Sequence, residues 1–140
     1  MSLQLFSEEP ADWCEAKFKK KLYDWQKEII NSQWRLLIAK CGRQSGKTMT
    51  VAMKLLYFAV RHPNCRVLII SRALRQSSYL LDMIKALIRG SDFGLNDRDI
   101  FITKIIFPNG AIIYNLPAGR DAAGIVGLTL DILVIDEAAY

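Results

Sequence analysis

A segment of small and polar residues, Cys41-Gly42-Arg43-Gln44-Ser45-Gly46-Lys47-Thr48, contains residue types that could bind a phosphate chain. In such a loop, backbone N–H groups and the N-terminus of the following helix surround the phosphate oxygens. Lys47 would reach the β- and γ-phosphates, and the hydroxyl of Thr48 would hold Mg²⁺. The match to the pattern G-x-x-x-x-G-K-[ST] is imperfect, because Cys41 stands where that pattern asks for glycine.

Two carboxylates, Asp136 and Glu137, follow the apolar run Leu133-Val134-Ile135. A buried strand that ends in acidic residues delivers them to the C-terminal edge of a parallel sheet, where ligands bind in open α/β folds. Asp136 would then hold the Mg²⁺ that Thr48 also contacts. An acidic pair at a strand end can also cap the next helix. Its combination with a phosphate loop on an earlier strand favours a nucleotide site.

Glu137 indicates the class of reaction. It would lie one residue beyond Asp136, where a carboxylate can orient and deprotonate an attacking water. Transfer of a phosphoryl group to another bound acceptor needs no carboxylate at this position, so water is the expected acceptor. The sequence therefore predicts an ATPase that uses ATP and Mg²⁺.

The elements around these residues follow the order that phosphate binding requires. Residues 34–40 form a short apolar run that is typical of a buried strand, and Arg66 to Ser71 form another. Apolar residues recur at helical spacing after the loop, and His62-Pro63-Asn64 should end that helix. The predicted helices cover residues 11–21, Tyr23 to Ser32 with Asp24 as a possible N-cap, the segment after the loop to residue 61, and residues 73–89.

A different pattern begins at about residue 99. Asp99 to Phe107 and Ala111 to Leu116 have the composition of strands, and Pro108-Asn109-Gly110 between them contains an Asn-Gly pair that is typical of a hairpin turn. The alternation of strands and helices elsewhere predicts a parallel sheet. The expected fold class is therefore α/β, a parallel sheet flanked by helices with one β-hairpin excursion.

Composition and charge narrow the classes of protein. Hydrophobic residues make up 51% of the chain and charged residues 24%, which indicates a globular domain. The net charge of +5 suits a polyanionic partner, although the cluster Lys17 to Lys21 is equally explained as a solvated face. The apolar runs are too short to span a bilayer, and Met1 to Pro10 does not resemble a signal peptide, so a cytosolic location is expected. Three widely spaced cysteines predict reduced thiols.

Together these residues resemble one family. Arg43-Gln44-Ser45-Gly46-Lys47-Thr48, followed by Ile135-Asp136-Glu137-Ala138-Ala139, is similar to the ATPase domain of the large terminase subunit, the motor that packages DNA into the heads of tailed phages and related viruses. In that family the first glycine of the loop is characteristically replaced, so Cys41 supports the resemblance. Leu22 to Gln26 resembles the family's adenine-recognition segment. The resemblance spans about residues 22–140.

Several roles follow from the resemblance alone. Arg43 would be an arginine finger that acts in cis near the γ-phosphate, which suits the charge that spreads in the transition state. Gln26 would hydrogen-bond adenine, although a glutamine on a helix surface is nearly as good an interpretation. The implied partners are double-stranded viral DNA, the portal and the small terminase subunit, in the cytoplasm of a bacterial or archaeal host of a phage or prophage. The loop residues implied in nucleotide binding are Gly42, Arg43, Gln44, Ser45, Gly46, Lys47 and Thr48.

The resemblance also predicts what the chain lacks. In this RecA-like P-loop NTPase fold of the additional-strand class, a later strand senses the γ-phosphate and inserts between the strand before the loop (Walker A) and the strand ending at Asp136 (Walker B). Residues 1–140 would then be a single truncated ATPase domain, incomplete after the Walker B strand and without a nuclease domain, and residues 1–21 a basic helical extension. Either the two strands pair directly, or a neighbouring molecule fills the gap, or the sheet is left incomplete. We expect self-association and weak or no ATP turnover from the isolated chain.

Two alternatives remain open at the level of the sequence. The run Asp136 to Ala139 would also satisfy the acidic box of a superfamily 2 helicase, in which case the chain would be a first motor domain. Those proteins usually keep the first glycine of the loop and need a second motor domain. A module that binds nucleotide without hydrolysing it is the other alternative.

Overall fold

The computed structural model describes one mixed α/β fold, and the described residues are 9–32, 36–39, 46–71, 79–117 and 129–136. Within these ranges the helices are α1 (Pro10–Phe18), α2 (Asp24–Asn31), α3 (Lys47–Arg61) and α4 (Tyr79–Arg89). The strands are β1 (Leu36–Ala39), β2 (Arg66–Ser71), β3 (Lys104–Ile106), β4 (Ile112–Pro117) and β5 (Ile132–Asp136). The predicted order of elements is confirmed.

The five strands form one sheet in the order β1-β5-β2-β4-β3. β1, β5, β2 and β4 are parallel. β3 pairs antiparallel with β4, and these two strands form the predicted hairpin. β1 pairs directly with β5, which is the first of the three expected arrangements. At the carboxyl edge of the sheet, Asp136 is opposite Ala39 on one side and Ser71 on the other.

Small differences from the predicted bounds have local causes. α1 ends at Phe18, because Lys19 adopts a left-handed conformation with φ of 54° and closes the helix with its N–H on the carbonyl of Glu15. The N-cap of α2 is Tyr23 rather than Asp24, which is the first helical residue. β3 begins only at Lys104, after a 3₁₀ turn over Asp97–Asp99.

Helix α3 lies at the centre of the helical layer. It contacts α1, α2, α4 and β1, and nine of its fifteen residues are buried, so it is covered on most of its circumference. The core also includes the interior of the sheet, with Val67, Ile69 and Val134 fully buried. No helix in the described ranges combines the length and apolar character that crossing a membrane requires.

Helix α1 belongs to this core through its apolar side. Ala11, Cys14 and Phe18 are buried, and the Trp13 ring packs edge-on against Tyr57 of α3 with 5.4 Å between the centroids. The basic residues 19–21 that follow are exposed. The helical part of residues 1–21 is therefore packed against α3, while the division of the chain into an extension and a domain remains a proposal.

The hairpin turn closes the C-terminal end of α3. Nδ2 of Asn109 donates to the carbonyl oxygen of Ala59 at 2.8 Å, which satisfies an acceptor that the last turn of a helix leaves unpaired. Arg66 Nη1 donates to the carbonyl of Gly110 at 2.8 Å, and the backbone N–H of Asn64 donates to the carbonyl of Asn109. The excursion of the chain into β3 and β4 thus fixes the end of the helix that follows the loop.

Candidate functional site

The candidate site lies at the carboxyl edge of the sheet, where strands β1 and β5 end side by side. β1 ends at Ala39, β5 ends at Asp136, and these two residues are partners in the parallel ladder. α3 begins at Lys47, eight residues after Ala39. The fold therefore brings the start of α3 and the acidic strand end to one edge of the sheet, as the sequence predicts.

In the part of the chain that the structure describes, no side chain caps the first turn of α3. Gly46 is the N-cap and has no side chain to bond the first N–H groups, which no helix satisfies internally. Lys47 is exposed, whereas the Thr48 side chain beside it is buried at 7% exposure. Donors that point out of a helix N-terminus, together with an exposed ammonium, are suited to an anion such as a phosphate group.

Gln26 is buried, and its side-chain amide is hydrogen-bonded. It is 7% exposed, and its Oε1 accepts the backbone N–H of Tyr23 at 2.8 Å. Its Nε2 donates to the Thr50 hydroxyl at 3.0 Å, and that hydroxyl donates to the carbonyl of Gly46 at 2.6 Å. A chain of hydrogen bonds thus runs from the start of α2 to the start of α3. Gln26 keeps one N–H and one lone pair for a further partner.

Gly46 lies in close contact with side chains of α2. A Cβ at Gly46 would lie 3.1 Å from Nε2 of Gln26 and 3.8 Å from the indole of Trp25, so the side chains of α2 already occupy that space. Trp25 is 41% exposed. The turn that opens α3 is therefore shaped by the first turn of α2 as well as by its own sequence.

The remaining predicted residues are placed only in part. For Asp136 the structure gives the backbone position at the end of β5. Five further site residues, and Cys41 with them, lie outside the described ranges: Gly42, Arg43, Gln44, Ser45 and Glu137. Their roles stay predictions.

Two polar residues of α3 that the sequence analysis did not single out join the site to the rest of the fold. Thr50 and Lys54 are both buried, although most of the buried residues of the helix are apolar. Burial and the neighbouring thiol act in opposite directions on Lys54: burial lowers its pKa to about 8, and Cys14 opposes that shift. Burial raises the pKa of the Cys14 thiol to about 12. Their spacing of four residues in an apolar helix is the signal that could have found them.

The donor set fits Mg²⁺ and a nucleotide. Mg²⁺ prefers hard oxygen ligands such as a hydroxyl and a carboxylate, which Thr48 and Asp136 would supply. The exposed ammonium of Lys47 and the uncapped first turn of α3 would face the phosphates. The arrangement is thus suited to holding a triphosphate and its metal at the edge of the sheet.

Solved structures with the same fold are known. The large terminase ATPase domain of Thermus phage P74-26 matches with a TM-score of 0.67 and 19% identity, over 94% of this chain and 59% of that chain. A mutant of the same domain matches with a TM-score of 0.68 and 18% identity, over 94% and 60%. The large terminase of bacteriophage HK97 matches with a TM-score of 0.56 and 15% identity, over 85% of this chain and 33% of that chain.

The chain spans about three fifths of the Thermus phage domain and a third of the HK97 protein. No curated protein matches the chain. A family model does match, over residues 38–140, and it describes the N-terminal part of the large terminase subunit of the T4likevirus type. That match covers the loop, α3, the whole sheet from Ile38 onward and Asp136. The chain therefore belongs to the family of large terminase subunits of the T4likevirus type, of which it represents the N-terminal part.

Proposed function

We propose that this chain is the ATP-binding motor part of a large terminase subunit, which hydrolyses ATP to drive double-stranded viral DNA into a capsid. The observation that carries the proposal is the placement of the uncapped first turn of α3, with Lys47 exposed, at the sheet edge where β5 ends in Asp136. Membership in the terminase family supports the same activity.

Each site residue has a proposed role. Lys47 binds the β- and γ-phosphates, and the N–H groups of Gly42, Gln44, Ser45 and Gly46 surround them. Thr48 and Asp136 hold Mg²⁺, which neutralises charge on the phosphates when bound. Glu137 orients the attacking water and takes its proton, and Arg43 stabilises the charge that develops on the γ-phosphate.

For Gln26 the described contacts limit the proposed role. Its Oε1 and Nε2 each already bond a group of the protein, so adenine would use the remaining lone pair and the remaining N–H. Such a bond would be geometrically fixed before the nucleotide arrives, because Thr50 and Tyr23 hold the amide in place. We therefore propose that Gln26 both recognises adenine and holds the turn at Gly46.

The partners are also proposals. A net charge of +5 supports a polyanion such as DNA, and family membership supports assembly with the portal and the small terminase subunit in the cytoplasm of an infected bacterial or archaeal host. β1 and β3 lie at the two edges of the described sheet, which supports self-association of the isolated chain. Light scattering at micromolar concentration tests it, and a monomer would contradict it.

The test of the function is ATP turnover with and without Glu137→Gln, in this chain and in a longer protein that extends beyond Tyr140. We expect the longer protein to lose turnover by about 100-fold or more while still binding ATP, because a general base contributes roughly 10²–10⁴-fold to a rate. The isolated chain should bind ATP with weak or no turnover. Unchanged turnover of the longer variant would rule out the proposed motor mechanism, whereas ATP binding without turnover in the longer wild-type protein would favour a nucleotide-binding module.

A further inference from the structure

A buried lysine holds the C-terminal end of α2 to the middle of α3. Lys54 is 8% exposed, and its Nζ donates to the carbonyls of Ile29 at 3.0 Å, Ile30 at 2.9 Å and Ser32. The last turn of a helix leaves its carbonyls without internal partners and carries the negative end of the helix dipole. The three donors of the ammonium are thus matched to three acceptors.

Thr50 and Lys54 together fix both ends of α2. They are four residues apart on α3 and so lie on the same face of that helix. Thr50 bonds Gln26 in the first turn of α2, and Lys54 bonds the last turn. Since α2 has only eight residues, these two contacts bond both of its end turns to α3.

The charge on Lys54 is costly to keep at this position. Burial in an apolar junction disfavours an ammonium, and Cys14 on α1, itself buried, is the titratable group that acts on it. A Met side chain has similar length and would fill the same volume without the penalty. The lysine at this position is therefore better explained by its hydrogen bonds to the last turn of α2 than by packing.

We propose that Lys54 is a positioning residue for the nucleotide site: by holding the last turn of α2 on α3, it keeps Gln26 bonded to Thr50 and keeps the turn at Gly46 in the shape that receives phosphates. The inference rests on the proposed function for the use of that turn. The link between Lys54 and the position of α2 stands without any nucleotide.

The experiment compares Lys54→Met with Lys85→Met in the full chain. Lys85 is a matched control, because it too donates to a backbone carbonyl, that of Ile102, on the side of the molecule formed by α4 and the hairpin. Hydrogen exchange of residues 24–32 is measured first, without nucleotide. Lys54→Met should accelerate it on the order of tenfold, since the carbonyls of Ile30 and Ser32 lose a donor, whereas Lys85→Met should leave it unchanged.

Affinity for ADP is measured next. Lys54→Met should raise the Kd on the order of tenfold, and Lys85→Met should not change it. In a Gln26→Ala background the same Lys54 substitution should cost much less, because the contact through which Lys54 acts is already gone. A loss of affinity of equal size in both backgrounds would show that Lys54 acts by some other route.

The two readouts separate the two hypotheses. If the wild-type chain does not bind ADP, the proposed function fails, and hydrogen exchange alone decides the link between Lys54 and α2. Exchange of residues 24–32 that is the same in Lys54→Met and wild type overturns the positioning role. If Lys54→Met does not fold, Lys54→Leu takes its place in the same comparison, since it too removes all three donors.

Discussion

The N-terminal end of α3 at Gly46 and its C-terminal end at Arg61 differ in what satisfies their backbone groups. At the N-terminal end the cap carries no side chain, Lys47 is exposed, and the side chains of α2 lie close to Gly46. At the C-terminal end, the Asn109 amide bonds the carbonyls of Ala59 and Val60, and Asn64 joins the same turn. The Asn109 side chain therefore caps the C-terminal end of α3, whereas no described side chain caps its N-terminal end.

The difference separates binding from stability within one helix. Backbone donors left without protein partners are available to a ligand, whereas carbonyls bonded by a hairpin are available only to the fold. Changes at the C-terminal end should therefore alter the free energy of unfolding, and changes at the N-terminal end should alter nucleotide affinity. Two glycines, one at each end, allow that separation to be measured.

The largest effect is expected from Gly110→Ala. Gly110 has φ of 90°, and a Cβ there would lie 2.1 Å from Oδ1 of Asn64, so the Asn64 side chain or the hairpin turn would have to move. We expect a loss of about 3 kcal/mol in the free energy of unfolding, from backbone strain and the clash together. Urea denaturation measures it. Gly90→Ala is the control, because a Cβ there would meet only ordinary contacts at 3.5 Å, and equal losses in both variants would contradict the comparison.

Gly46→Ala is expected to have a smaller effect, on the affinity for ADP and not on the free energy of unfolding. The φ of Gly46 is −67°, which any residue adopts, but a Cβ would press on Nε2 of Gln26 at 3.1 Å. The free energy of unfolding should change by less than about 1 kcal/mol, since only a side-chain amide has to shift. The Kd for ADP should rise on the order of tenfold. Isothermal titration and urea denaturation on one preparation give both values, and a loss of stability without a loss of affinity would reverse the assignment of the two ends.

The smallest effect is expected in the pH dependence of the free energy of unfolding, through Lys54 in the middle of α3. The pKa of Lys54 is about 8 in the fold and 10.5 ordinarily, so between these values the unfolded chain binds more protons and stability rises with pH. The free energy of unfolding of wild type minus that of Lys54→Met should therefore increase by roughly 1 kcal/mol between roughly pH 7 and pH 9. The difference between the two proteins cancels the thiols of Cys14 and Cys65, whose raised pKa values act in the other direction. A difference that is flat or falls with pH would contradict the buried ammonium.

The sequence predicts the parts of this site that depend on local pattern. β2 has the predicted bounds, and the Asn109-Gly110 turn and the end of α3 before Pro63 follow from residue types with strong backbone preferences. The pairing of β1 with β5 was one of three alternatives, because strand order depends on contacts between segments far apart in the chain.

The polar contacts of α2 could not be predicted in the same way. The sequence is compatible with Gln26 as an adenine contact or as a surface residue, whereas the structure buries it against Thr50, 24 residues later. In the sequence, nothing distinguishes Lys54 from an ordinary helical lysine. The structure shows that the end of α2 places three backbone carbonyls within hydrogen-bond distance of its ammonium. Both cases depend on how two helices pack against each other. Helical periodicity predicts which face of a helix is buried, but it does not predict which residues of another helix that face contacts.

The bond from Asn109 to Ala59 also has a consequence for how the chain is synthesised. The donor lies 50 residues after the acceptor, so the ribosome completes α3 well before the residue that closes its last turn exists. During that interval the helix must be held by earlier segments, and α1 and α2 are already available to pack against it. The end of α3 at Gly46 can thus take shape early in translation, while the end at Arg61 is completed only after the hairpin has emerged.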